Sequence, residues 1–216
     1  ELEANVAEGR GILKNEQCRL FWDGMPIWGK IRSLSDLFLQ NHTSVVASTY
    51  CNSWIFDDFD EREPFESSAL AYTQIFINRS EQAKMDFLKS WMEEYRVDGV
   101  IFHDSKTCFN NSNSRFGMPL QLKRETGIPT LVVEGDLCDL RFFSEGQTTT
   151  KLETFIEQLS EREARRRVAL ARAAGWCSGA AAAAARSRLR GHTVQRQPTL
   201  HVLQYFLQRV DRRSFR

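Results

Sequence analysis

The 216-residue sequence predicts an α/β fold: an open parallel sheet with helices on both faces. Three observations carry this expectation. Four short apolar runs recur along the chain. Segments with helical spacing separate them. The runs are continuous rather than alternating, as strands covered on both faces require.

The chain opens on a polar, helix-like stretch, ELEANVAEGRGILKNEQ, with Glu rather than Met as its first residue. That start is expected of a sequence that begins inside something larger. The first strand is Arg19-Leu20-Phe21-Trp22, ahead of Asp23-Gly24. Ile31, Leu34, Leu37 and Phe38 then recur at helical spacing. The second strand runs Val45-Val46-Ala47-Ser48-Thr49-Tyr50. A helix follows on Phe87, Leu88, Trp91, Met92 and Tyr95, with Ser80-Glu81 as its start.

Val97 to His103 is the third strand. Met118 to Glu125 reads as a short helix closed by Gly127. The fourth strand is Pro129 to Glu134, and TKLETFIEQL, residues 150–159, supplies a last amphipathic helix. Strands alternating with helices imply βαβ units, hence a Rossmann-like or flavodoxin-like sheet. Right-handed crossovers place the C-terminal ends of all its strands on one edge, where ligands of open α/β sheets bind. The loops at 22–24, 50–54, 103–113 and 134–141 therefore share one crevice, which takes Cys51, Cys108 and Cys138 with it.

Composition changes abruptly after Ser160. Residues 1–160 hold 16 Lys and Arg against 25 Asp and Glu, whereas residues 161–216 hold 13 Arg, no Lys and 3 acids. Six consecutive alanines, Ala180 to Ala185, lie in that second part. We expect a Rossmann-like domain over 1–160 and an Ala/Arg-rich tail over 161–216, helical or disordered and non-native in origin. A basic arm for RNA or membranes is the alternative reading of the tail. The acidic balance of the first part argues against nucleic acid as its partner. No run approaches the ~20 apolar residues that span a bilayer. The five cysteines form no CxxC pair, and no secretory start precedes them, so a reducing, cytoplasmic setting is expected.

The candidate chemistry centres on KTCFNNSNSRFG, residues 106–117. Cys108 can be a small buried hydrophobe, a nucleophile served by a base such as His103, or a ligand to a metal or iron–sulfur cluster. A lone cysteine cannot hold a cluster, so the last reading requires further ligands. Asn110, Asn111, Ser112 and Asn113 serve either as loop and cap residues or as contacts to a polar ligand. The helix starting after Gly117 would favour an anion at its N-terminus. Asp136, Asp139 and Arg141 either pair with one another, order the crevice or bind a sister chain. Trp54 is either core, interface or substrate contact.

These residues resemble a known family. The stretch DGVIFHDSKTCFNNSNSRFGMPLQLKRETGIPTLVVEGDLCDLRFFSEGQTTTKLETFIEQL, with RLFWDGMPIW and SVVASTYCNSW upstream, resembles the C-terminal end of the benzoyl-CoA reductase/2-hydroxyacyl-CoA dehydratase family. The pattern TCxNNSNxRxGMP, GIPxLxxxGD and LRxxSExQ is most similar to a catalytic subunit of the ATP-dependent benzoyl-CoA reductases. The resemblance covers residues 1 to about 160 and implies subunits with two Rossmann-like domains. It implies a [4Fe–4S] cluster held by three cysteines, with Cys108 at the third position and the first two in a domain this chain lacks. Asn110, Asn111 and Trp54 then become candidate substrate contacts.

The activity implied is single-electron transfer at low potential to an acyl-CoA. In the reductases benzoyl-CoA becomes a cyclic diene; in the dehydratases a ketyl radical lets a hydroxyl leave. A homologous sister subunit and an activator ATPase with its own iron–sulfur cluster are the implied partners. Lacking two ligands, this chain alone is not expected to assemble the site. A non-catalytic remnant that at most binds a sister subunit is the alternative of another class.

Overall fold

A computed structural model describes residues 2–11, 13–52, 59–108, 112 and 117–176. Helix α1 (Leu2–Ala7) precedes strand β1 (Cys18–Asp23). A 3-10 turn (Trp28–Lys30) leads into α2 (Ile31–Gln40) and then β2 (Thr43–Ser48). Helices α3 (Thr49–Asn52) and α4 (Pro64–Gln74), a 3-10 turn (Phe76–Asn78) and α5 (Glu81–Glu94) separate β2 from β3 (Gly99–Ser105). Helix α6 (Met118–Thr126), β4 (Thr130–Gly135), a 3-10 turn (Leu140–Phe142) and α7 (Glu145–Trp176) complete the order.

The four strands form one parallel sheet in the order β2-β1-β3-β4. All four strands expected from the sequence are present. Thr49 and Tyr50, expected to extend β2, instead begin α3. Helices α3 and α4 are not among the elements the sequence predicts. Where α4 buries only Ser67 and Ala71, no apolar stripe faces the core to announce it.

Side-chain alternation along the strands builds two cores. On one face Leu20 and Trp22 of β1, Ile101 of β3 and Val133 of β4 pack against Leu34 and Phe38 of α2 and against Leu152, Phe155, Ile156 and Leu159 of α7. On the other, Phe21, Val100 and Phe102 pack against Met85, Leu88 and Met92 of α5 and Met118 and Leu122 of α6. This distribution follows from handedness. The crossover from β1 to β2 runs one way along the sheet; those to β3 and β4 run the other way, so right-handed connections put their helices on opposite faces.

Local signals fix the helix ends. Ser80 caps α5, its hydroxyl accepting from Ala83 N at 3.3 Å. Gly127 ends α6 at φ 69°, donating its N–H to Lys123 O at 2.9 Å. At the N-terminal edge, buried Arg19 donates to Tyr95 O and Glu16, and Asp98 accepts from Arg19 N, which ties β1 to the entry of β3.

Helix α7 runs well beyond the expected 150–159. Its buried side chains end at Leu159, and Cys18 and Ser160 meet there at 3.5 Å. From Glu161 to Leu170 the described side chains are exposed or half-buried. The backbone thus stays helical across the composition change, while packing on the sheet stops at it. Residues 177–216, most of the expected tail, lie outside the described residues.

Gly99 lets α7 approach the sheet. A Cβ there would sit 2.8 Å from Leu159 Cδ1 and 2.9 Å from Phe155 Cζ. Gly99→Val is expected to destabilise the domain by about 1–3 kcal/mol, the usual cost of overpacking. Urea unfolding checks it; an unchanged midpoint would place the helix farther from the strand.

Candidate functional site

Strand order decides where the site lies. Sheet order 2-1-3-4 reverses direction between β1 and β3, so the crevice of a doubly wound sheet opens beyond their C-terminal ends. Asp23 ends β1, and β3 ends with His103, Asp104 and Ser105. The expected convergence of four loops is borne out by direct contacts. Trp28 N donates to Leu137 O at 2.9 Å, joining the loops after β1 and β4. Trp28 also stands edge-on to Tyr50, whose helix follows β2. Thr49 Oγ1 donates to Asp23 Oδ1 at 2.5 Å.

The cysteine loop after β3 is pinned at both ends. Asp136, buried just after β4, accepts from Thr107 N at 3.0 Å, Thr107 Oγ1 at 2.5 Å and Ser105 Oγ at 3.3 Å. Its other oxygen accepts from Asp139 N at 3.2 Å. These donors, Thr107 foremost, hold its carboxyl well below the usual carboxylate range. Ser112 is fully buried and donates its hydroxyl to Ser105 O at 3.0 Å. Cys108 sits between these two anchors, half-buried and free.

The edge cysteines differ. Burial pushes the Cys51 thiol up, and the Ser48 hydroxyl that receives its backbone N–H opposes this only in part. Cys138 is exposed, and Cys18 is buried at the far end of β1. Among the described residues no three His, Cys, Asp or Glu side chains converge as a metal site. The described residues do not by themselves gather a ligand set for a cluster. Asn110, Asn111 and Trp54 lie outside the described residues.

His103 is not placed as a base for Cys108. It is 1% exposed, packed beside Trp22, with Nδ1 2.6 Å from Met25 O and Nε2 closed in by Gly135 and Ile27. Burial pushes its imidazole down, against the Met25 carbonyl and the nearby Asp136 and Asp104. Its contact with Met25 O ties β3 to the loop after β1. The sign of its pH effect follows: the unfolded chain takes up a proton near pH ~6.5 that the folded imidazole refuses, so stability falls as pH drops below that value. His103→Gln is expected to flatten the decline between about pH 7 and pH 5. Parallel curves for the two proteins would refute this assignment.

Sequence reasoning singled out neither Asp23 nor Lys84. Asp23 is 1% exposed at the switch point, and Lys84 of α5 is buried with its ammonium over the Phe76 ring at 5.2 Å. Burial lowers the Lys84 ammonium, and the Asp23 and Glu81 carboxylates oppose that shift. These two buried groups of opposite sign have no local sequence signal, because 61 positions separate them. Of the acid–base set after β4, Asp139 and Arg141 do pair, with Nε 2.9 and 3.0 Å from the two carboxylate oxygens. Asp136 meets this pair only through the Asp139 backbone N–H, and its carboxylate otherwise holds Thr107 and Ser105.

The sequence model of the family described as 2-hydroxyglutaryl-CoA dehydratase, D-component, matches residues 1–159. The chain belongs to this family. The match ends where α7 loses its packing on the sheet. Curated relatives agree with the family assignment. The chain is 27% identical over 172 residues to one subunit of the benzoyl-CoA reductase of Thauera aromatica, covering 75% of this chain and 40% of that one. It is 28% identical over 160 residues to the alpha subunit of lactoyl-CoA dehydratase of Anaerotignum propionicum, covering 74% and 38%. The alpha subunit of (R)-2-hydroxyglutaryl-CoA dehydratase of Acidaminococcus fermentans is 25% identical over 166 residues, covering 76% and 34%. The chain thus spans 34–40% of the length of these curated relatives. Each is named as a subunit of a larger enzyme. No helix among the described residues is long and apolar enough to cross a membrane.

Proposed function

We propose that this chain forms part of a subunit of an iron–sulfur acyl-CoA enzyme, and that Cys108 is one ligand of its [4Fe–4S] cluster. The observation that supports this best is the position of Cys108. It is a half-buried thiol at the switch-point edge, inside the span matched by the family model, on a loop pinned by Asp136 and Ser112. The remaining ligands come from chain outside these residues. Such a cluster, once assembled, supplies single electrons at low potential. The protein's own part is to orient the ligand loop and exclude water from the crevice. Asn110, Asn111 and Trp54 are proposed to contact the acyl-CoA. A homologous sister subunit and an activator ATPase with its own cluster are the proposed partners, in a reducing, cytoplasmic setting consistent with free cysteines.

The first reading of the substrate is an aromatic acyl-CoA, reduced as benzoyl-CoA to a cyclic diene. It rests on the motif pattern around Cys108 and on the benzoyl-CoA reductase relative. The second is dehydration of a 2-hydroxyacyl-CoA, favoured by the family description and the dehydratase relatives. Anaerobic assay of the full complex with ATP and activator separates them. Turnover of benzoyl-CoA is expected. Turnover of a 2-hydroxyacyl-CoA alone would select the second reading, and turnover of neither would select a non-catalytic, subunit-binding role.

A further inference from the structure

Two of the described cysteines follow neighbouring strands in matching register. Every pair in the β3–β4 ladder, from Val100↔Thr130 to Ser105↔Gly135, is offset by 30 positions. Cys108 and Cys138 carry the same offset, each three residues beyond the last pair. The two segments stay coupled past the ladder. Lys106 N donates to Gly135 O at 3.0 Å, and Thr107 N donates to Asp136 Oδ1 at 3.0 Å. The Asp136 carboxylate also receives the backbone N–H of Cys138, and that of Asp139 at 3.2 Å. One side chain thus gathers the N–H just before Cys108 and the N–H of Cys138 itself.

That placement suits a disulfide. Neighbouring parallel strands lie about 4.8 Å apart, and bridged cysteines have Cα atoms about 4.4–6.8 Å apart. The other described cysteines are placed differently. Cys18 is buried at the start of β1, and Cys51 follows β2, which β1 separates from β3 in the sheet order. Cys138 is exposed and Cys108 half-buried, both as free thiols, so an oxidant in solution meets Cys138 first.

We propose that Cys108 and Cys138 form a reversible disulfide, with a small disulfide of the glutathione type as oxidant. The Cys138 sulfur attacks the small disulfide; the S–S bond breaks, and one small thiol leaves with the proton Cys138 gives up. The Cys108 sulfur then attacks that of Cys138, and the second small thiol leaves with the Cys108 proton. The two cysteines lose two electrons and the small disulfide gains them. Exposed disulfides of this kind are the labile, redox-sensing ones. On the reading of Cys108 as a cluster ligand, the bond closes that sulfur to iron and shields it from irreversible oxidation.

The test reduces the chain, removes the reductant without air and adds oxidised glutathione. Digestion without reductant and mass spectrometry then read each cysteine. A peptide carrying Cys108 joined to one carrying Cys138 is expected, and dithiothreitol should undo it. Cys138→Ser changes an exposed side chain, so the fold is retained and the pair should be lost. Cys108 left free, carrying glutathione alone or joined to another cysteine in the wild type would overturn the proposal. Iron uptake by the metal-free complete enzyme separates this result from the ligand assignment. Uptake blocked by the oxidant until dithiothreitol is added would support both. Uptake unaffected although the pair has formed would end the ligand assignment and uphold the disulfide.

Discussion

Replacing Cys108 with alanine in the complete enzyme is expected to remove iron and activity together while leaving the fold in place. The physical basis is the contrast among the cysteines. Cys18 is part of the core, and its loss would be a packing defect. Burial raises the Cys51 thiol. Cys108 is half-buried and belongs to neither core cluster, so its truncation should change stability by no more than ~0.5 kcal/mol. Removal of a direct ligand should cost activity more than the roughly 10–100-fold typical of changes one shell farther out. Iron analysis and thermal unfolding of the same sample check both halves. Iron content equal to wild type would end the ligand assignment, whatever the activity.

Asp136→Ala is expected to have the next largest effect, and on stability and activity alike. Its carboxylate takes Thr107 N, Thr107 Oγ1, Ser105 Oγ and Asp139 N, so truncation leaves several donors without this acceptor. Hydrogen bonds to a charged acceptor contribute about 1.5–3 kcal/mol. A loss near 2 kcal/mol corresponds to a Tm drop of about 4–8 °C for a domain of this size. The pH dependence has a definite sign. The folded carboxyl stays ionised well below the value near ~3.9 at which the unfolded one protonates. Its contribution is therefore complete above pH ~4 and is lost as pH falls below that. The wild type and the variant should differ fully at pH 7 and converge in acid. A constant difference across pH would show that packing, not charge, is what Asp136 supplies. Because the same carboxylate pins the Cys108 loop, activity should fall by roughly 10–100-fold as well.

The elements that were legible have local causes. Continuous Val, Ile and Leu runs marked β1 to β4. Ser80 and Gly127 marked a helix start and a helix stop through their own capping chemistry. Cys108 was legible as a loop cysteine after a buried strand. The loop's restraint was not, because Thr107 and its acceptor Asp136 are 29 positions apart. Helix α4 escaped because its apolar side chains are spread around it rather than gathered on one face, so its sequence carries little helical periodicity. The end of α7 escaped because helix propensity continues in the residues that follow Leu159 although burial does not.

By itself the amino-acid order determined the strands, most of the helices and the family, since each depends on short-range propensity, periodicity and motif spacing. Only the tertiary structure decided that the switch point of the sheet falls between β1 and β3. It also decided that Asp136 holds Thr107 and Ser105 beside the cysteine, and that His103 faces the core. Strand order and cross-sheet hydrogen bonds join residues tens of positions apart, and side-chain direction at a strand's end depends on which helix covers that face; no local pattern encodes either.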